Sequence, residues 1–144
     1  MDVSIRAVGG DDAAAVLAAG HLFDSSPGRE ATEAFLRDPR HHLLFAYDER
    51  ERPVGFVSGV ELIHPDKGTE MFLYELGVDP PARRRGVGRA LVEALLALAR
   101  ARGCYGMYTL AEDDDVPAKA TYASAGGRDV SRPVMVEWGY GAAS

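Results

Sequence analysis

Apolar and polar positions switch period repeatedly along this chain, and each switch marks the edge of an element. Val3, Ile5 and Ala7 alternate with polar residues, which predicts a short strand. An alanine-rich helix follows over residues 12–20, with Asp11 as its expected N-cap. Residues 24–28 read as a loop. A second helix covers Arg29–Arg37, with Ala31, Ala34 and Phe35 on one side, until Pro39 ends it. Residues 42–47 and 54–63 read as strands joined in a hairpin across the polar stretch 48–53. After a turn at 64–68 comes a fourth strand, residues 70–78. The next helix carries Val87, Leu91, Leu95 and Leu98 on one face and Arg89, Glu93 and Arg100 on the other. Gly103 is its left-handed stop. Residues 105–110 predict a fifth strand. Asp115 is placed to cap a helix over 116–125, with Pro117 in its first turn and Gly126 and Gly127 at its end. Residues 134–138, after Pro133, read as a last strand.

The resulting order, β-α-α-β-β-β-α-β-α-β, describes one α/β domain over residues 1–144, of α+β character in its antiparallel first half. The strand–helix–strand unit at 70–110 requires a parallel pair, because a crossover through a helix returns in the same direction.

Charge narrows the chemistry. The chain has 144 residues and a net charge of −6, so as a whole it repels nucleic acid and anionic membranes. Yet Arg83, Arg84, Arg85 and Arg89 crowd into seven positions, which suits a discrete anionic ligand. The single Cys104 excludes an internal disulfide and fits a reducing cytoplasm; a small buried thiol is its simplest reading. No run of apolar residues approaches the length of a bilayer span. The N-terminus, Met-Asp-Val-Ser-Ile, does not read as a signal peptide.

The arginines lie where the fourth strand gives way to the third helix, at Arg83-Arg84-Arg85-Gly86-Val87-Gly88. Such a turn aims free backbone N–H groups and the positive end of a helix at one point, where a pyrophosphate binds well. It is neither a P-loop nor a dinucleotide fingerprint, whose glycine spacings differ. The pattern Arg/Gln-x-x-Gly-x-Gly/Ala resembles the acetyl-CoA loop of the GNAT superfamily of N-acetyltransferases. Residues 115–127, with Ala118, Tyr122 and Gly126, resemble that family's second motif, Asn-x-x-Ala-x-x-x-Tyr-x-x-x-Gly-Phe. Asp115 stands where the family has Asn, and Gly127 where it has an aromatic.

The resemblance implies a GNAT fold: a mixed, mostly antiparallel sheet with a parallel pair around the coenzyme site and helices on both faces. It also implies acetyl-CoA as cosubstrate, and no metal. The cofactor would lie on the backbone of Leu76, Gly77 and Val78, on Arg83, Arg84, Arg85, Gly86, Val87, Gly88 and Arg89, and near Asp115. A β-carbon on Gly86 or Gly88 would hold phosphates away from the backbone. Tyr122, with a phenol pKa of about 10, would protonate the departing thiolate; its other reading is a core aromatic. Glu75, a carboxylate among Phe72, Leu73, Leu76 and Val78, would hold the acceptor ammonium and take its proton. Its other reading is a structural ion pair. His64 and Tyr74 are weaker candidates for the base.

The acidic run Glu112-Asp113-Asp114-Asp115 follows the fifth strand, and with Glu75 it predicts a negative pocket mouth for a cationic amine. Within the family, Asp114-Asp115-Val116-Pro117-Ala118 leading to Tyr122 is most similar to type I aminoglycoside 3-N-acetyltransferases. That resemblance implies acetylation of an aminoglycoside at its 3-amino group, antibiotic resistance and a cytoplasmic enzyme. Two other readings stay open: acetylation of a polyamine, lysine or small metabolite, and a non-catalytic CoA-binding domain. Trp138 and Tyr140 are candidates for a homodimer contact or for the core.

Overall fold

The computed structural model describes residues 1–139. Its strands are β1 (Ser4–Ala7), β2 (His41–Tyr47), β3 (Pro53–His64), β4 (Gly68–Val78) and β5 (Met107–Tyr108). Its helices are α1 (Ala13–Ala18), α2 (Arg29–Arg37), α3 (Val87–Ala101) and α4 (Val116–Ser124), with 3₁₀ turns at Gly20–Leu22 and Pro80–Ala82. The strands make one sheet in the order β1-β2-β3-β4-β5, antiparallel except for the parallel β4 and β5. The crossover through α3 thus produces the parallel pair that residues 70–110 predict.

Each face of the sheet carries its own core. On one face α3 buries Val87, Leu91, Val92 and Leu95 against Leu44, Val57, Met71 and Leu73. Leu95 is fully enclosed there, and a cut to alanine at such a site costs about 2–5 kcal/mol. On the other face α1 and the turn after it place Val16 and Ala19 over Leu43, Phe45 and Phe56. The polar side of α3 stays in water, where Arg89 Nε donates to Glu93 Oε1 at 3.0 Å.

Three expectations need correction. Asp12, not Asp11, caps α1, accepting from the Ala15 N–H at 3.2 Å; one step along the chain suffices to point the other carboxylate elsewhere. The fifth strand shrinks to two residues because β5 meets β4 only at Met71↔Met107 and Phe72↔Tyr108. Residues 134–138 form no strand and are exposed, since alternation gives a strand its faces but not an edge to pair with. Trp138 is therefore not a core residue among the described ones, and Tyr140 lies outside them.

One irregularity in the sheet decides where the chemistry sits. Val57 pairs with Leu76, but two steps along β3 Gly59 pairs with Leu73, three steps along β4. Tyr74 is the extra residue of a β-bulge. Met71 and Leu73 face α3 before the bulge, and Leu76 and Val78 do so after it. Glu75 and Gly77 consequently turn to the opposite face, where a β-carbon on Gly77 would come within 3.0 Å of the Leu22 carbonyl.

Candidate active site

Beyond the bulge, β4 keeps β3 on one side and loses β5 on the other. The Asp79 N–H donates to the Val54 carbonyl at 2.8 Å and the Glu75 N–H to Ser58 Oγ at 3.2 Å, both towards β3. By strand alternation the backbone groups of Leu76 and Val78 point to the open side. Arg83 Nε already donates to the Val78 carbonyl at 3.0 Å. The N–H groups of Leu76 and Val78 and the Leu76 carbonyl are what that edge offers a ligand. Gly77 points its backbone towards β3 and serves by lacking a side chain, since a β-carbon there would meet Phe56 Cε1 at 2.6 Å.

The turn between β4 and α3 is built for an anion. Arg84 and Gly86 both take left-handed backbone, with φ of +62° and +83°. For glycine this is free; for arginine it costs roughly 1–2 kcal/mol. Gly86 caps α3 without a side-chain bond, and the first helical bond runs from the Ala90 N–H to the Gly86 carbonyl at 3.0 Å. The N–H groups of Val87, Gly88 and Arg89 are left at the positive end of a 15-residue helix. Arg84 and Arg85 are exposed beside them, and these residues suit the pyrophosphate of a coenzyme.

Gly88 sits at the junction of three elements. A β-carbon there would lie 3.1 Å from Thr121 Cγ2 on α4, 3.8 Å from Val78 Cγ2 and 3.9 Å from Leu76 Cδ2 on β4. Its bareness therefore lets α4 approach α3, in addition to any role towards phosphate.

α4 begins where the sequence predicts, with the Asp115 side chain accepting from the Ala118 N–H at 3.2 Å. Two turns inside, Tyr122 packs against the core under α3. Burial and then the Asp115 charge push its phenol above the ordinary range, against the pull of the Thr109 hydroxyl. That hydroxyl in turn donates to the Leu73 carbonyl at 2.9 Å, tying α4 to β4 across the gap. Tyr122 is thus packed, as its core reading expects, and it borders the open edge of β4, where a proton donor to a thiolate would have to stand.

Glu75 lies across the strand from Tyr122. Burial, followed by the charge of Asp24, holds its carboxyl above the usual glutamate range. Among the described residues it has no ion-pair partner, so the structural ion pair does not form. His64 is at the far end of the β3–β4 hairpin, bonded to Asp66 and remote from Glu75. Tyr74 points outward and meets Phe72 edge-on at 5.9 Å.

The acidic run divides. Asp113 is neutralised by Lys119 Nζ at 3.0 Å and Arg132 Nε at 2.9 Å, and those cations keep it well ionised. Asp115 is spent on the helix cap. Glu112 and Asp114 remain as the exposed negative pair. No group of three metal-ligating side chains occurs among the described residues, and none of their helices is long and apolar enough to cross a membrane. Burial, then the Glu61 charge, raises the Cys104 thiol, which makes it a poor nucleophile. A separate hollow of about 430 Å³, bordered by Ala18, His21 and Asp79, contains none of the expected acyl-transfer residues.

Four contributors escaped the sequence reading: Asp24, Ser58, Thr109 and Thr121. Ser58 alone had a signal, as a hydroxyl within an apolar strand. The others act through contacts that only the folded chain creates.

The pattern of the acetyltransferase (GNAT) family matches residues 15–126. A mycothiol acetyltransferase from Saccharopolyspora erythraea is 36% identical over 131 residues, covering 83% of this chain and 42% of that protein. The chain spans less than half the length of the curated relatives it matches. Among solved structures, the aminoglycoside acetyltransferase meta-AAC0020 from an uncultured soil metagenomic sample superposes with a TM-score of 0.87 at 20% identity, covering 96% of each chain. AAC(6')-Iy, solved with the bisubstrate analog CoA-S-monomethyl-acetylneamine, gives 0.82 at 18%, covering 97% of this chain and all of that one. Matched along most of its length by the family pattern, the chain belongs to the acetyltransferase (GNAT) family.

Proposed function

We propose that this protein transfers the acetyl group of acetyl-CoA to an amino group of an aminoglycoside, the 3-amino group by the similarity of residues 114–118. One observation carries the reading: the unpaired edge of β4 runs from Glu75, with Asp24 beside it, to an uncapped helix N-terminus. A cationic amine suits the first end and a pyrophosphate the second. Glu112 and Asp114 extend the negative potential at the acceptor end. The coenzyme's amide arm pairs with Leu76 and Val78, and a backbone N–H there stabilises the oxyanion. Glu75 takes a proton from the ammonium, directly or through water. The nitrogen then attacks the thioester carbonyl, the carbon–sulfur bond breaks as Tyr122 protonates the thiolate, and the second proton shed by the new amide nitrogen passes through water to restore the Tyr122 phenol. Blocking one ammonium weakens the drug's hold on ribosomal RNA, which is resistance.

A second reading has its own support. Mycothiol acetyltransferases are among the curated relatives, at 36–42% identity, and their name implies another acceptor. AAC(6')-Iy is likewise named for a position other than 3. Purified protein, acetyl-CoA and a panel of aminoglycosides, polyamines, basic peptides and mycothiol-type amines separate these readings by thiol release. NMR of the product then locates the acetyl group. Turnover on aminoglycosides alone supports the proposal, and acetate on another nitrogen moves only the position. No release with any aminoglycoside defeats it, and tight acetyl-CoA binding without any acceptor points to a non-catalytic domain.

A further inference from the structure

The bulge in β4 brings together two side chains that a regular strand would separate. Adjacent residues of a strand face opposite ways, but at a bulge two residues oppose a single partner and the side chains are re-aimed. Tyr74 and Glu75 together oppose Ser58, before the register moves on to Gly59 and Leu73. Ser58 Oγ accepts from the Glu75 N–H at 3.2 Å, which pins the bulge. Tyr74 meets Phe72, whose neighbours Met71 and Leu73 face α3, so the tyrosine ring stands on the face away from α3. Glu75 is on that face too.

The fold leaves the ring uncovered. The core under α1 draws only on residues 8–56, so cover on this face ends at β3. Tyr74 is 68% exposed. Phe72 lies edge-on to it, with ring centres 5.9 Å apart, and covers at most one face of the tyrosine. Phe72 is held in turn by stacking on Tyr108 at 4.8 Å across the β4–β5 pair. Tyr74 thus has a firm support and an open face. Carboxylates flank it on two sides. Glu75, with Asp24 near it, lies towards α1; β5, running parallel to β4, leads to Glu112 and Asp114 on the other side.

We propose that Tyr74 selects the acceptor: its open face packs on the C–H face of a saturated ring, while an ammonium borne by that ring meets Glu75. The inference rests on the acyl-transfer reading above and narrows the acceptor to a rigid cyclic amine with several ammonium groups. A tyrosine face attracts cations, and C–H groups polarised by them, through its quadrupole. Carboxylates on two sides suit charges that a rigid ring holds apart. A linear polyamine matches the charges but brings no flat face, and it must freeze its chain to span them. An amine with one charge meets only one side.

Titration calorimetry with CoA present reads acceptor binding without turnover. The probes are kanamycin, a cyclic amine, and spermine, a linear amine of comparable charge. Wild type should bind kanamycin more tightly than spermine. Tyr74→Leu keeps apolar bulk but loses the aromatic face. It should weaken kanamycin ~3–30-fold while spermine and CoA affinities hold. Tyr74→Phe keeps the face and should match wild type. In steady state the leucine variant should raise the acceptor KM by the same factor and leave kcat unchanged. Kanamycin bound no more tightly than spermine overturns the inference, and so does equal kanamycin affinity in wild type and Tyr74→Leu. An equal loss in both variants overturns it by placing the effect on the hydroxyl. So does a variant whose mass by light scattering shifts while its kanamycin affinity holds, since the ring then serves a contact between chains. Thiol release from kanamycin that ignores Tyr74 defeats this inference alone. Kanamycin held by Tyr74 with no thiol release defeats the acyl-transfer reading and leaves the recognition standing.

Discussion

Asp24 lies near enough to Glu75 for its charge, added to burial, to hold the Glu75 carboxyl above the ordinary glutamate range. The two arrive from distant parts of the chain. The Tyr74 bulge turns Glu75 onto the α1 face, and stacking of Phe23 on Phe56 at 4.3 Å fixes the loop that carries Asp24. A raised carboxyl is a better proton acceptor once ionised, and it must be ionised to act. The acidic limb of the kcat/KM profile should therefore stand above the ordinary glutamate range, and Asp24→Asn should move it down. A limb that ignores Asp24 would leave burial as the whole cause of the shift, and a limb that survives Glu75→Gln would remove Glu75 as the group that titrates.

Glu75→Gln should lower kcat by ~10²–10⁴ while acetyl-CoA affinity changes little. It should also stabilise the fold at neutral pH. The folded pKa is raised, so the stability contributed by Glu75 is complete below its unfolded value and falls as pH climbs through the folded one. Glutamine escapes that loss. Thermal melts of both proteins at pH 4 and pH 7 test it: the variant's advantage should appear only at the higher pH.

Tyr122→Phe separates the acid from the core residue. If the phenol supplies the proton, single-turnover rates should drop by ~10²–10⁴ with a normal melting temperature. Burial raises the phenol, so the alkaline limb of the wild-type profile should begin above about 10. An unchanged chemical step would leave Tyr122 with packing alone.

Gly88 carries two possible duties, close approach of phosphate and close approach of α4. Gly88→Ala places its new carbon 3.1 Å from Thr121 Cγ2, and Thr121→Ser removes that methyl. If packing dominates, the double variant should recover the melting temperature and the acetyl-CoA KM lost in the single one. If phosphate approach dominates, the melt recovers and KM stays high. At Gly86 nothing crowds a side chain, but φ of +83° makes alanine cost roughly 1–2 kcal/mol.

What the sequence shows of this site is what short-range chemistry encodes. The turn at 83–88 and the Asp115 cap depend on neighbours within a few positions, and both form as read. The bulge at Tyr74 is invisible, because it exists only in the register between β3 and β4. Reading β4 as an unbroken strand would put Leu73 and Leu76 on opposite faces, whereas both face α3. Asp24 looked like an ordinary loop residue for the same reason: its importance lies in a partner fifty-one positions away. Residues 134–138 show the opposite error, since alternation declares a strand without naming the sheet it joins.

The sharpest prediction about stability lies away from the site. Glu61, only 7% exposed, accepts from Arg102 Nε at 2.7 Å and contacts His42 Nε2 at 2.6 Å. Burial by itself would raise this carboxyl, but the hydrogen bonds from Arg102 and His42 win and hold it below the ordinary range. A depressed folded pKa contributes stability that is present above the unfolded value and is lost as pH falls through the folded one. Glu61→Gln keeps the shape and drops the charge, exchanging charge-assisted bonds for neutral ones. It should cost about 2 kcal/mol at pH 7, within the range for a hydrogen bond to a charged group. The difference should shrink as pH falls through the depressed folded pKa, below which the wild-type carboxyl is itself neutral. Denaturant unfolding over a descending pH series measures it. A deficit that did not shrink on acidification would place the loss in packing, and no deficit at pH 7 would mean that burying the carboxylate costs as much as its two partners return.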